Sequence, residues 1–250
     1  RRHSAAEAIE AAKTVAQIFE RYSIDLIYAW PGQTIDRWRH ELDRGLDLAK
    51  DHIAVYQLTI EPGTQFYKEK ISTADETISE ELFQITQEIL GAAGMPAYEI
   101  SNHARPRQEC SHNLVYWQGE DYVGLGPGAH GRLTKTGSSG LPETEAIQEI
   151  RAPDRWLKVV QAKGVGTQKR KKLPFEHRFD EIVLMGLRLS EGISTERFVR
   201  LTGRRLFDYL KPDRLDGLIK SGFLSRSCTN LRLTPHGLSR LDAVIRELLV

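Results

Sequence analysis

Apolar residues recur along this 250-residue chain with two periods. Ala5, Ala8, Ile9, Ala12, Val15 and Phe19 share one helical face, and Ile24-Asp25-Leu26-Ile27-Tyr28 is a short, nearly continuous apolar run that reads as a buried strand. Ser4-Ala5-Ala6-Glu7 has the form of a capping box opening the first helix. A Pro31-Gly32-Gln33-Thr34 turn leads to a second helical face at Trp38, Leu42, Leu46 and Ala49, then to a strand-like stretch from Ile53 to Ile60. After Glu61-Pro62-Gly63-Thr64, a third helix carries Ile78, Leu82, Ile85 and Ile89, stops near Gly94 and gives way to a strand-like Tyr98-Glu99-Ile100. Alternation of this kind predicts an α/β unit of parallel strands covered by helices.

Past residue 131 the pattern changes. Residues 134–140 are turn-rich and Gln168-Lys169-Arg170-Lys171-Lys172 is a basic run, so a connecting segment is expected over 132–175, between a first domain at 1–131 and a last one at 176–250. In the last domain an apolar face runs from Phe179 to Leu189, Ser194 stands as an N-cap before Phe198 and Leu201, and a third helix carries Leu215, Leu218 and Ile219. Gly222-Phe223-Leu224 and Leu231-Arg232-Leu233 can pair as a hairpin before a final helix bearing Leu238, Leu241, Val244 and Leu248, the order of a winged helix.

Composition narrows the picture little. Hydrophobic content of 40% suits a globular core, and 35 Lys and Arg against 34 Asp and Glu single out no charged partner. Cys110 and Cys228 form neither a disulfide framework nor a zinc pattern, which makes a reducing compartment, the cytoplasm, the expected location. No apolar run approaches the roughly 18 residues of a membrane helix. The chain opens on Arg1 rather than Met and enters a helix at once, the pattern of a cut inside a domain.

Four segments carry candidate chemistry. Asp25 is the one ionisable residue of its apolar strand; it can accept hydrogen bonds from a ribose diol, or equally cap a helix or pair with an arginine. Gly126-Pro127-Gly128-Ala129-His130-Gly131 has the letters of a dinucleotide fingerprint, but no helix pattern follows it, so the expectation is a tight turn rather than a pyrophosphate site. His112-Asn113-Leu114-Val115-Tyr116-Trp117, with Cys110 upstream, gathers ligands and rings that suit heme, although residue types alone favour a packed structural turn. The winged-helix outline and the basic run invite a nucleic-acid reading, which the acidic Asp213 and Asp216 of the third helix oppose.

Taken in order, residues 25–34, 56–64, Tyr98-Glu99-Ile100-Ser101-Asn102 and Gly124-Leu125-Gly126-Pro127-Gly128-Ala129-His130 resemble successive motifs of oxygen-independent coproporphyrinogen III oxidases and HemW-type heme chaperones, a radical S-adenosylmethionine family. The likeness covers essentially the whole chain, and His112-Asn113-Leu114-Val115-Tyr116-Trp117 is similar to the HNxxYW signature of the HemW type. It implies part of a radical-SAM partial (β/α) barrel followed by a smaller helical, winged-helix-like C-terminal domain. It implies S-adenosylmethionine contacts from Arg1, Asp25, Ile27 and Thr59, and heme contacts from His112, Asn113, Tyr116, Trp117 and Cys110. The CxxxCxxC motif for a 4Fe-4S cluster is expected upstream of Arg1, so this chain alone is expected to hold no cluster and no catalytic residue. Expected partners are heme, a heme-accepting protein and, transiently, membrane respiratory proteins, but no nucleic acid. Two functional classes stay open, a heme chaperone and an oxidase that decarboxylates coproporphyrinogen III.

Overall fold

The structure, a computed structural model, describes residues 4–249, which divide into two compact units with the break between Cys110 and Ser111. The division falls before the boundary expected from the sequence, and the segment expected to be a connector is built into the second unit as sheet and helix.

The first unit runs α1 (Ala5–Ile18), β1 (Ile24–Tyr28), α2 (Ile35–Leu48), β2 (His52–Gln57), a single turn α3 (Gln65–Lys68), α4 (Glu76–Ala92) and β3 (Asn102–Ala104). The capping box forms as expected: Ser4 Oγ accepts from the Glu7 amide, and the Glu7 carboxylate accepts from the Ser4 amide at 2.6 Å. Strands β1 and β2 pair in parallel, with Asp25 opposite Ala54 and Ile27 opposite Tyr56. The third strand differs from expectation. It lies at 102–104 rather than 98–100, and it runs antiparallel to β2 because the chain doubles back through the Ala97–His103 bridge.

Helices α2 and α4 cover one face of this sheet. Trp38, Leu42, Ile53, Leu82, Leu90 and Met95 fill the space between, and Trp38 stacks on Tyr28 with centroids 5.4 Å apart. The indole N–H of Trp38 donates to Thr86 Oγ1 at 2.8 Å, so this large ring is buried without an orphaned donor. Gly45 lets α2 approach the sheet closely, since a Cβ there would stand 2.7 Å from Leu26 Cδ1.

The second unit opens with α5 (Ser111–Trp117), then an antiparallel sheet of β4 (His130–Thr136), β5 (Pro142–Glu149) and β6 (Thr167–Lys172), with α6 (Pro153–Lys163) between the last two. Its polar strands are held by charge pairs as well as backbone. Glu145 accepts from Lys135 and Arg170, each at 2.6 Å, and Lys172 pairs with Glu143. There follow α7 (Phe175–Gly186), β7 (Ile193–Ser194), α8 (Thr195–Thr202), α9 (Pro212–Lys220), β8 (Leu224–Arg226), β9 (Asn230–Leu233), α10 (Pro235–Leu238) and α11 (Leu241–Leu249). This is the winged-helix order, with Ser194 capping α8 as expected and β7 joining the hairpin in a sheet ordered β7-β9-β8.

Sheet and helices of this unit meet at Glu181. It receives Arg132 of β4 at 2.6 Å and Arg178 at 2.9 Å, and Arg178, 5% exposed, also donates to the carbonyl of Gly119 just past α5. Burial pushes the Glu181 carboxyl up, but the hydrogen bond from Arg132 and the charges of both arginines outweigh it, leaving a value below the usual 4.5. Glu181→Ala should destabilise the second unit by about 2–4 kcal/mol, because two guanidiniums lose their counterion in a half-buried site. Removal of the exposed Glu176 should change stability by less than about 0.5 kcal/mol, urea denaturation being the measurement. The stabilisation from Glu181 is present above its unfolded value and lost as pH falls through its depressed folded value. Replacing Glu181 with Ala should therefore flatten the acid limb of the stability profile.

Candidate functional site

In the first unit the strand period divides β1 between two environments. Leu26 and Tyr28 turn to the helices, while Asp25 and Ile27 point to the other face, where Asp25 is exposed and Ile27 is 45% exposed. This corrects the reading of β1 as a fully buried strand, because no element among the described residues covers that face of β1. Asp25 makes neither a helix cap nor an ion pair among the described residues; its one hydrogen bond is from Ser23 Oγ at 3.4 Å. Tyr56 is half-exposed opposite Ile27, and Thr59 is exposed just past the end of β2.

The same face is backed by a polar network. His52 meets Ser23 Oγ through Nδ1 at 2.8 Å and the Tyr98 hydroxyl through Nε2 at 2.9 Å, and burial pushes its imidazole down while the Asp25 charge pulls the other way. Glu99 accepts from the Ser101 amide at 2.8 Å and from Asn102 Nδ2 at 2.6 Å. Burial and then the charge of Asp25 push the Tyr56 phenol up, against a hydrogen bond with Asn102. Beyond β1, Ala29 adopts φ 64° although it is not glycine. Gln33, 5% exposed, holds it there, accepting from the Ala29 amide at 2.7 Å while donating to Glu41 at 3.0 Å. The turn after the strand is thus fixed by one buried amide. Asp25 and Ile27 thus share the uncovered face of β1, whereas Thr59 lies five positions beyond Ala54, the strand partner of Asp25; Arg1 lies outside the described residues.

In the second unit, α5 splits the six-residue motif between two faces. His112 and Tyr116, one turn apart, meet edge to face with centroids 4.9 Å apart and the Tyr116 hydroxyl 3.3 Å from His112 Nε2. Tyr122 extends the row, its ring 4.4 Å from Tyr116, and burial pushes its phenol up. His112 is exposed, and directly after Tyr122 come Val123 at 67% and Leu125 at 88% exposure. Trp117 turns away from this row. It lines a crevice with Ile182, Gly186, Phe198 and Leu201, and the guanidinium of Arg188 lies 4.7 Å from its ring centroid. The row thus presents an imidazole open to solvent with two phenols alongside, and the two bare aliphatic side chains follow Tyr122 in the chain. Sequence reasoning missed Tyr122 and Arg188, whose rows form only in three dimensions; spacing could have shown that His112 and Tyr116 share a face that Trp117 leaves.

The glycine segment is a tight turn. A Cβ on Gly124 would sit 2.1 Å from the His130 carbonyl oxygen, and β4 begins at His130, so no helix N-terminus is available for a pyrophosphate. Cys110, the last residue of the first unit, and Cys228, on the hairpin, are both free. Among the described residues no group of three His, Cys, Asp or Glu side chains is placed to hold a metal, so the residues present do not fit an iron–sulfur cluster. No helix among them is long and apolar enough to cross a membrane.

Comparison with known proteins places these features. Residues 173–239 match the HemN C-terminal domain. The whole chain is 33% identical to the mitochondrial radical S-adenosyl methionine domain-containing protein 1 of Danio rerio, covering 58% of that protein. Over 88% of its length it is 32% identical to the heme chaperone HemW of Bacillus subtilis, covering 56% of it. The chain thus spans a little over half the length of these curated relatives. The solved structure of Escherichia coli coproporphyrinogen III oxidase (HemN), described as a radical SAM enzyme, shares the fold with a TM-score of 0.73 over 99% of this chain and 59% of the other, at 17% identity.

The two faces of α5 differ in what they support. Trp117→Ala should lower the stability of the second unit by about 3 kcal/mol through the void it leaves, whereas His112→Ala, at an exposed site, should cost less than about 1 kcal/mol, both read from urea midpoints.

Proposed function

Because this chain belongs to the radical S-adenosylmethionine family that includes HemN and HemW, we propose that the protein is a heme chaperone, binding heme and passing it to an acceptor protein. The observation that carries this reading is the row His112, Tyr116 and Tyr122, followed in the chain by the exposed Val123 and Leu125. In it His112 is the leading iron ligand, with Cys110 second, and Tyr116 offers ring area to the macrocycle. Asn113 and Trp117 complete the motif, Trp117 by seating the helix that presents the imidazole. Tyr116, at hydroxyl distance from Nε2, orients the imidazole ring.

On the other unit, Asp25 receives a ribose diol, Ile27 and Thr59 border the adenine, and Arg1 adds a contact. Bound S-adenosylmethionine with a 4Fe-4S cluster supplies radical chemistry in the family; this chain's share is to bind and orient the nucleoside. The ordered backing of His52, Ser23 and Tyr98 supports that role, since it keeps the face carrying Asp25 in one conformation. We place the protein in the cytoplasm, a reducing compartment that suits two free cysteines. Its partners are a heme-accepting protein and, transiently, membrane respiratory proteins. The match to the HemN C-terminal domain favours a second reading, an oxygen-independent coproporphyrinogen III oxidase.

Titration with heme should give about one saturable site per chain, with His112→Ala shifting the Soret band or weakening binding at least about tenfold. Turnover of coproporphyrinogen III at about one per second or faster without saturable heme binding would select the oxidase. In protein extended to the length of its relatives, Asp25→Asn should weaken S-adenosylmethionine binding by about 1–3 kcal/mol, the loss of a charged hydrogen bond, with an unchanged melting temperature. A large drop in melting temperature at unchanged affinity would assign Asp25 a structural role.

A further inference from the structure

Charge in this chain is unevenly placed. Residues 151–172 hold 8 Lys and Arg against the single Asp154, while the remainder carries 27 Lys and Arg against 33 Asp and Glu. Within the basic segment Arg170 and Lys172 are neutralised by Glu145 and Glu143 across the sheet. Arg151, Arg155, Lys158, Lys163, Lys169 and Lys171 have no ion pair among the described residues, and all six are exposed. Arg155, Lys158 and Lys163 lie on α6, Arg151 just before it, and Lys169 and Lys171 on β6, an edge strand exposed at every residue.

This surface is rigid. The carboxylate of Glu149, 8% exposed, accepts from Trp156 Nε1 of α6 at 2.9 Å and from Thr167 Oγ1 of β6 at 2.8 Å, so one buried acid fixes the helix and the strand to the same end of β5. Helix α6 buries no residue completely, and beside its cations stand two bare aliphatic side chains, Leu157 at 51% and Val165 at 62% exposure. Lysines on an edge strand discourage sheet-to-sheet association, which accounts for β6 but not for the cations and exposed leucine of α6.

We infer that the α6–β6 face docks on an anionic lipid surface, the six free cations lying against headgroups and Leu157 and Val165 entering the boundary with the acyl chains. Polybasic segments are drawn to such surfaces, and adjacent aliphatic side chains add apolar burial that a polyphosphate backbone does not use. A nucleic acid is the less suited partner: the segment has a single aromatic ring, the half-buried Trp156, where a platform for stacking successive bases needs several.

Co-sedimentation of the 250-residue chain with vesicles tests this. Binding should occur with phosphatidylcholine containing about 30% phosphatidylserine, be absent with phosphatidylcholine alone, and weaken at least tenfold between roughly 0.05 and 0.5 M salt. The triple variant Lys158→Glu, Lys163→Glu, Lys171→Glu should bind at least about tenfold more weakly with an unchanged melting temperature. The pair Leu157→Ser and Val165→Ser should lower binding about threefold or more and leave its salt dependence in place. Equal binding to neutral vesicles, no binding, or a triple variant that binds as well as the original chain overturns the inference. So does tighter binding to duplex DNA at equal salt that the Leu157→Ser, Val165→Ser pair leaves untouched, which would assign the face to nucleic acid.

Discussion

The second unit depends on a carboxylate shared by two guanidiniums. Arg132 comes from the sheet, Arg178 and Glu181 from α7, and Arg178 reaches on to the carbonyl of Gly119. Three pieces of the unit, the sheet, α7 and the segment after α5, are thereby tied together. The lock also governs the motif helix. Gly119 follows α5 by two residues, and the Arg132 backbone exchanges two hydrogen bonds with Tyr122, so the ion network sets where Tyr122 meets Tyr116. An aromatic row on the surface is held by a charge cluster beneath it, and the specificity of that geometry is what such a costly half-buried network provides.

Much of this was legible in the order of residues. Helices with a clean apolar face, the caps at Ser4 and Ser194, and the winged-helix outline all follow from periodicity and end signals. The sheet of β4 to β6 was not legible because its strands are cemented by Glu143 and Glu145 rather than by alternating apolar residues, and a pattern search sees only a polar stretch. Strand β3 was misplaced for a related reason. Tyr98 and Glu99 resemble strand residues but serve as hydrogen-bond partners for His52 and Asn102, while the ladder itself uses Asn102, His103 and Ala104.

The sites show the same division. Asp25 stood out in the sequence as a lone charge, yet its exposure depends on which face of β1 the helices cover, a fact of packing. His112 and Trp117 looked like one cluster because they are neighbours in sequence. On a helix, however, neighbours in sequence part company, and the indole is spent on the interior with Phe198 while the imidazole stays outside. Gln33 carried no chemical signal at all, although it sustains the left-handed Ala29 that ends β1.

The glycine turn has a consequence at the level of genes. At Gly124 the volume a Cβ needs is filled by the His130 carbonyl, whereas at Gly126 nothing lies within 4 Å and only the backbone angle, φ 101°, disfavours a side chain. Every single-base missense change in a glycine codon introduces a Cβ. Codon 124 therefore has no tolerable missense neighbour, while at codon 126, two triplets away, a single-base change such as that to aspartate meets only a backbone penalty and no clash. Two glycines that read alike in the sequence should leave different records in natural variation, one invariant and one merely biased.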